Sequence, residues 1–165
     1  MGITINNSLS LRVFYGNYSP LVKGQARKEV SKGTLSFADA SALRNAIRKL
    51  QDYEFEDSPE GQVQEKVTAF ADSINNTLSS ASKYSGSTPV KNAVKKIKQL
   101  NQEYSSQLKQ IGITVNKDGT MSVYDSAAKN YSRERYSDFF NKESKYLNDL
   151  YDAAKKITRR VDLRI

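Results

Sequence analysis

Apolar residues recur at alternating steps of four and three between residues 58 and 112, and this spacing constrains the fold more than any other feature. Such steps return a side chain to the same face of an α-helix, so each run forms one apolar stripe. The first stripe consists of Val63, Val67, Phe70, Ile74, Leu78 and Ala81, and the second of Val90, Val94, Ile97, Leu100 or Asn101, Tyr104, Leu108 and Ile111. The polar residues expected on the opposite face of the first helix are Asn75, Asn76, Ser79 and Ser80. We therefore predict a long antiparallel helical hairpin that turns near Gly86.

Serine, threonine and proline mark the predicted helix starts. Ser58-Pro59 places a capping serine before a proline in the first helical position, and Thr88-Pro89 repeats the arrangement. The segment 36–39 resembles a capping box and is expected to open a helix over residues 36–53. A short helix is expected after Asp125-Ser126, and a last helix begins near Ser144.

The last helix carries an apolar stripe that we interpret as a helix-packing interface. Its members are again spaced by three and four residues: Leu147, Leu150, Ala154, Ile157 and Val161. The stripe is narrow and its end is free, so it can pack within this chain or against a partner subunit. After the stripe, Leu163 and Ile165 leave an apolar end at the C-terminus.

Residues 1–35 form a poorly patterned N-terminal segment, and residues 36–165 are predicted to form a single helical domain. Glycine and proline interrupt the first segment, which can be a short edge strand, a peptide that orders on a partner, or a loose tail. Its apolar residues are nevertheless expected to pack somewhere, including on another subunit: Leu9, Leu11, Val13, Phe14 and Tyr15.

The stretch Leu108–Asp125 predicts a β-hairpin at residues 111–124. Its apolar residues alternate with polar ones, which places one face of two short strands in the core: Ile111, Ile113, Val115, Met121 and Val123. Asn116–Gly119 is a turn sequence between the strands. The same loop resembles a calcium loop, but Thr114 stands where the first carboxylate belongs and Asp125 where a bidentate glutamate belongs. We therefore favour a turn over a calcium site.

Composition argues against most catalytic chemistry. The chain contains no cysteine and no histidine, and we find neither a paired-carboxylate motif nor a glycine-rich phosphate loop. We expect no enzymatic activity, no cofactor and no metal. The absence of an 18-residue apolar run predicts no membrane span, and the N-terminus does not read as a cleaved signal peptide.

A net charge of +8 raises the question of an anionic partner. The basic residues are spread along the chain and mostly interleaved with acids, and two clusters are denser: Lys91, Lys95, Lys96 and Lys98, and Lys155, Lys156, Arg159 and Arg160. We interpret both clusters as solvated helix faces, so nucleic acid is not the expected partner. The predicted fold class is mainly α, with the helical hairpin, additional packing helices and one small β-hairpin.

Leu108–Asp125 reads L-x-x-I-G-I-T-x-x-x-D-G-T-hydrophobic-S-hydrophobic-x-D. In this pattern it resembles the C-terminal region of flagellar filament cap proteins (flagellar hook-associated protein 2). The segment Val67–Asn75 and the helix Val90–Ile111, which includes Leu100–Tyr104, are also similar to that family, so the resemblance covers about residues 60–140. The chain would be a short or divergent relative.

The resemblance implies a bacterial surface-appendage protein, exported without cleavage, whose terminal helices pack with those of other subunits. It implies no catalytic residues and transfers no site residues. We therefore expect a structural or interaction protein at the bacterial flagellum or elsewhere outside the cell, with itself or flagellar proteins as partners, including as a homo-oligomer. Two alternatives stay open: a basic module that binds nucleic acid or another anion, and a cytoplasmic all-α secretion chaperone.

Overall fold

The computed structural model describes residues 30–84 and 86–162. These residues form seven α-helices and one two-stranded antiparallel sheet, which confirms a mainly α fold with one small β-hairpin. The elements in chain order are α1 (Lys32–Asp52), α2 (Glu60–Lys83), α3 (Thr88–Glu103), α4 (Ser105–Lys109), β1 (Ile113–Val115), β2 (Met121–Val123), α5 (Ala127–Asn130), α6 (Arg133–Phe139) and α7 (Lys145–Arg160).

Helix α1 packs against α2 and α7, and α7 also packs against α3. The apolar stripes of all four helices meet in one continuous core, where aromatic rings from several elements pack together. Phe140 lies at the centre of the rings, with its centroid 5.2 Å from that of Phe70 and 5.6 Å from that of Phe55. The largest part of the chain is therefore held together by burial of apolar surface between long helices.

Helices α2 and α3 are the two arms of the predicted helical hairpin, and they contact each other. The second arm is shorter than expected. It ends at Glu103, and one turn of helix, α4, follows after Tyr104, whose ψ of 15° departs from α-helical geometry. Leu108 and Ile111 are still buried, so the apolar spacing continues through this irregular connection to the hairpin.

Three predicted helix starts are displaced. Helix α1 begins at Lys32 because Ser31 accepts a hydrogen bond from the Thr34 amide, which adds a turn before the expected start at Ser36. Helix α3 is capped by Ser87 instead of Thr88. In front of α2, the Ser58 hydroxyl donates to the Glu54 carbonyl and Pro59 occupies the N-cap position without a side-chain cap. A neighbouring serine therefore takes the capping role at α1 and α3, whereas at α2 the Ser58 hydroxyl bonds to a carbonyl instead of capping the helix.

Polar residues on α2 show the largest error in the predicted helix faces. Asn76 and Ser80 were expected to face solvent, but both are buried, as is Ser73. The stripe pattern treats a helix as buried on one side, whereas α2 packs against α1, α3, α5 and β2 and is covered over a wider arc. Ser79 is exposed as predicted, and Asn75 bonds to the sheet.

The β-hairpin has the predicted strands and turn. Ile113 pairs with Val123 and Val115 with Met121, and Ile113 and Met121 face the core. Asn75 on α2 fixes the hairpin, because its side-chain amide donates to the Met121 carbonyl and its carbonyl accepts from the Met121 amide, both at 2.8 Å. The hairpin is thereby fastened to the helices by polar as well as apolar contacts.

Some predictions fall outside the described residues. They include the packing of Leu9, Leu11, Val13, Phe14 and Tyr15 and the apolar end at Leu163 and Ile165. The predicted boundary at residue 36 falls within α1, which begins four residues earlier. Over the part of the chain that the structure describes, no helix combines the length and the apolar character needed to cross a bilayer.

Candidate protein-interaction groove

The predicted packing stripe of the last helix lies inside this chain. Four of its members are fully buried between α7 and its neighbours α1 and α3: Leu147, Leu150, Ala154 and Ile157. Val161 follows the end of α7 and is partly buried against the same core. A partner subunit could reach the four buried side chains only if α7 separated from α1 and α3. The surfaces of α7 that flank the stripe are therefore the ones available to a partner.

A groove of about 610 Å³ runs between α3 and α7 on one of these surfaces. Its floor is formed by small side chains, because Ala93 on α3 and Ala153 on α7 are both buried. Its walls are polar or charged and include Asn92 and Lys96 from α3. Small residues on both helices leave a depression, and the longer side chains one turn away rise around it.

The groove is predominantly basic but contains two carboxylates. Its charged lining consists of Lys96, Lys145, Asp149, Asp152, Lys156 and Arg160. The Lys145 ammonium donates a hydrogen bond to Asp149 one turn later, and this bond raises the pKa of Lys145 above its ordinary value. The groove therefore offers both signs of charge around an apolar floor, with an excess of two positive charges.

The structure brings together parts of two basic clusters that the sequence keeps 60 residues apart. Lys96 comes from the first cluster, and Lys156 and Arg160 come from the second. The other lysines of the first cluster do not line the groove: Lys91 and Lys95 are exposed elsewhere on α3, and Lys98 lies against Gly119 of the hairpin turn. Both clusters are largely exposed to solvent, as expected for solvated helix faces.

Sequence reasoning missed the contribution of Lys145, Asp149 and Asp152 to this groove. They alternate with the apolar stripe at helical spacing, so they could be placed on the flank of α7. Which flank faces α3 depends on how α7 packs, and the sequence gives no signal for that.

In the hairpin loop, the carboxylate of Asp118 forms hydrogen bonds within the loop itself. The Asp118 carboxylate accepts from the Thr120 amide at 3.0 Å and from the Thr120 hydroxyl at 2.6 Å. These bonds hold the pKa of Asp118 below its ordinary value. Asp118 thus acts as a turn residue. Among the described residues, no three carboxylates lie together as a candidate metal site.

Comparisons with protein-family models, with curated proteins and with solved structures return no match for this chain.

Proposed function

We propose that this chain is a non-enzymatic structural or interaction protein that acts by packing with other protein subunits. The groove between α3 and α7 supports this proposal, because it combines an apolar floor with charged walls, as protein-interaction surfaces do. The resemblance of residues 60–140 to the C-terminal region of flagellar filament cap proteins points in the same direction. On this proposal the chain is a subunit of an assembly at the bacterial surface.

A second copy of this chain is the partner that the charges favour. The loop between α1 and α2 exposes three carboxylates, Glu54, Glu56 and Asp57, beside a buried Phe55 that anchors the loop. These carboxylates complement the excess of lysine and arginine in the groove. A contact between the loop of one copy and the groove of the next joins two different surfaces, so it can continue from subunit to subunit. That geometry suits a structural assembly.

Charge-reversal variants test this contact. We expect wild-type protein to associate with increasing concentration at low salt and to dissociate as salt is added, because the pairing is electrostatic. Lys96→Glu with Lys156→Glu should abolish association, and so should Glu54→Lys with Asp57→Lys. Mixing the two variants should restore association, because the acidic groove of the first variant matches the basic loop of the second, and the unchanged loop of the first matches the unchanged groove of the second. Sedimentation velocity measures the association of the wild type, of each variant and of their mixture.

Lys83→Glu with Lys129→Glu is the matched control, because it changes the same net charge at exposed positions outside the groove and the loop. It should associate like the wild type. A wild-type chain that stays monomeric at low salt over the whole accessible concentration range would contradict the second-copy proposal. Equal loss of association in the control would show that net charge alone is responsible.

A nucleic-acid-binding module is the second candidate function, and the convergence of the two basic clusters on neighbouring helices favours it. The carboxylates Asp149 and Asp152 weigh against it, because they would repel phosphates that enter the groove. Binding to DNA or RNA that weakens steeply with salt, and is lost in Lys96→Glu with Lys156→Glu, would support this candidate. Failure to be retained on heparin at low salt would exclude it.

The proposed location is the flagellum or another site outside the cell, with the cytoplasm as the alternative. Fractionation of cells that carry a tagged full-length chain distinguishes the two. Recovery with sheared surface appendages supports the proposal, whereas recovery in the cytosol together with one exported client supports a secretion chaperone.

A further inference from the structure

Two arginines from α1 meet one tyrosine of α7 on the flank of α7 that packs against α1. The Arg48 guanidinium carbon lies 3.9 Å from the centre of the Tyr151 ring, and that of Arg44 lies 5.1 Å from it. Arg44 also donates from Nη2 to the Tyr151 hydroxyl at 3.1 Å and from Nη1 to the Thr158 hydroxyl at 3.2 Å. Two guanidinium groups and two hydroxyl groups are thus gathered at one point on the surface.

The positive charge of this cluster is not neutralised within the described chain. In residues 30–84 and 86–162, neither Arg44 nor Arg48 forms an ion pair with a carboxylate, and the hydrogen-bond partner of Arg48 is the neutral Gln51 amide. The Arg44 Nε is buried and has no hydrogen-bond partner among the described residues. The hydrogen bond from Arg44 is the main cause that lowers the pKa of Tyr151, and the positive charges of Arg44 and Arg48 act in the same direction.

Both guanidinium carbons lie within 5.1 Å of the centre of the Tyr151 ring, and like charges gathered around one side chain repel each other, so an anion that contacts both would stabilise the arrangement. Arg48 is exposed and Arg44 is partly buried, so an anion can reach the cluster from solvent while part of the site stays shielded from water. The planar guanidinium fork matches the oxygen spacing of phosphate and carboxylate. Two fixed positive charges favour a dianion over a monoanion, and the hydroxyls of Tyr151 and Thr158 can orient its oxygens.

We propose that Arg44, Arg48, Tyr151 and Thr158 form a binding site for a phosphoryl group, carried either by inorganic phosphate or by a phosphorylated side chain. The site lies on the side of α7 that faces α1, so it is separate from the α3–α7 groove. It clamps α1 to α7, and occupancy would therefore tighten the contact between the first and last described helices.

Amide chemical shifts of the full-length chain, followed during titration with sodium phosphate at constant ionic strength, test this site. We expect shifts that saturate and that centre on Arg44, Arg48, Tyr151 and Thr158, with much smaller shifts from sodium acetate. The Arg48→Gln variant, which changes an exposed residue and should fold normally, is expected to weaken phosphate binding about tenfold, because it removes a charge-assisted contact. A parallel titration with phosphoserine separates the two sources: tighter binding than phosphate indicates a phosphorylated partner, and equal binding indicates the free ion.

Arg159→Gln is the control, because it removes the same charge from an exposed position on α7 that does not contact Tyr151. It should bind phosphate like the wild type. The proposal is overturned if phosphate produces no saturating shifts in the wild-type chain, if acetate binds as well as phosphate, or if Arg159→Gln weakens binding as much as Arg48→Gln.

Discussion

Gly119 occupies one of the positions in the described chain where the backbone conformation most restricts the choice of residue. Its φ of 86° lies in the left-handed region, which the turn between β1 and β2 requires. A Cβ at this position would lie 2.7 Å from Cγ and 3.2 Å from Cα of Lys98 on α3. The turn therefore needs glycine both for its conformation and because α3 packs directly against it.

Gly119→Ala should lower the free energy of unfolding by about 1–3 kcal/mol, since it adds backbone strain and forces Lys98 to move. Gly61→Ala is the matched control. Gly61 lies in the first turn of α2, and a Cβ there has no atom of the described residues within 4 Å, so the same substitution should leave stability unchanged or raise it by up to about 1 kcal/mol. Urea unfolding followed by circular dichroism measures both. Equal destabilisation by the two substitutions would show that the turn imposes no special requirement.

Helix α2 shows how one element can bury more than a single stripe. Its apolar residues match the four-three spacing, yet Ser73, Asn76 and Thr77 are also fully buried. The Thr77 hydroxyl donates to the Ser73 carbonyl, and the Ser73 hydroxyl to the Phe70 carbonyl, so the hydroxyl groups of Ser73 and Thr77 find their acceptors on their own helix. Asp72 on the same helix is partly buried, and this burial raises its pKa from 3.8 to about 6.

The raised pKa of Asp72 predicts a pH-dependent stability. The folded chain holds the Asp72 proton more tightly than the unfolded chain, so folding stability falls as pH rises from about 4 to about 6 and stays lower above that range. Asp72→Asn removes the carboxylate and with it the free-energy cost of burying a charge at this position. It should be about 1–2 kcal/mol more stable than the wild type at pH 7, after allowance for partial exposure, and nearly equal to it at pH 4.

Urea unfolding of both proteins at several pH values measures this difference. Asp57→Asn, an equal charge change in the exposed loop before α2, is the control for general electrostatic effects. A stability difference between Asp72→Asn and the wild type that is the same at pH 4 and pH 7 would refute the assignment to Asp72.

Across the whole molecule, a buried polar link joins three parts of the fold. Asn101 on α3 donates to the Gly119 carbonyl of the hairpin turn at 2.8 Å and accepts a hydrogen bond from the Tyr146 hydroxyl of α7 at 2.7 Å. Asn101 and Tyr146 are both buried, and this burial raises the pKa of Tyr146 far above its ordinary value. Apolar packing gathers the helices, and this link fixes how α3, α7 and the hairpin are positioned relative to one another.

Asn101→Ala should lower the free energy of unfolding by about 2–4 kcal/mol, because it leaves the Gly119 carbonyl and the Tyr146 hydroxyl buried without partners. Gln102→Ala removes the adjacent amide, which is exposed and bonds to the Asn116 carbonyl, and should cost less than about 1 kcal/mol. Thermal and urea unfolding compare the two variants. A loss for Asn101→Ala no larger than that for Gln102→Ala would mean that the link contributes little to the fold.

The helix content, the β-hairpin and most of the core follow from local patterns in the sequence. The four-three spacing identified buried residues such as Val67, Ile97 and Leu150, and the turn sequence Asn116–Gly119 placed the strands correctly. Helical periodicity and turn chemistry depend on residues only a few positions apart, so these features can be predicted from short stretches of the sequence. The displaced helix starts show the limit of this information, since α1 and α3 each had two candidate capping residues close together, Ser31 or Ser36 and Ser87 or Thr88.

The candidate sites depend on contacts between distant segments. The groove requires Ala93 and Ala153 to face each other, and the arginine cluster requires α1 to reach Tyr151 more than 100 residues later. The spacing of the α7 stripe also could not decide whether it packs in the core of this chain or against a partner subunit, because both environments bury the same apolar residues. The packing of α7 between α1 and α3 buries the stripe and exposes its two flanks, and that arrangement results from the fit of whole helices against one another.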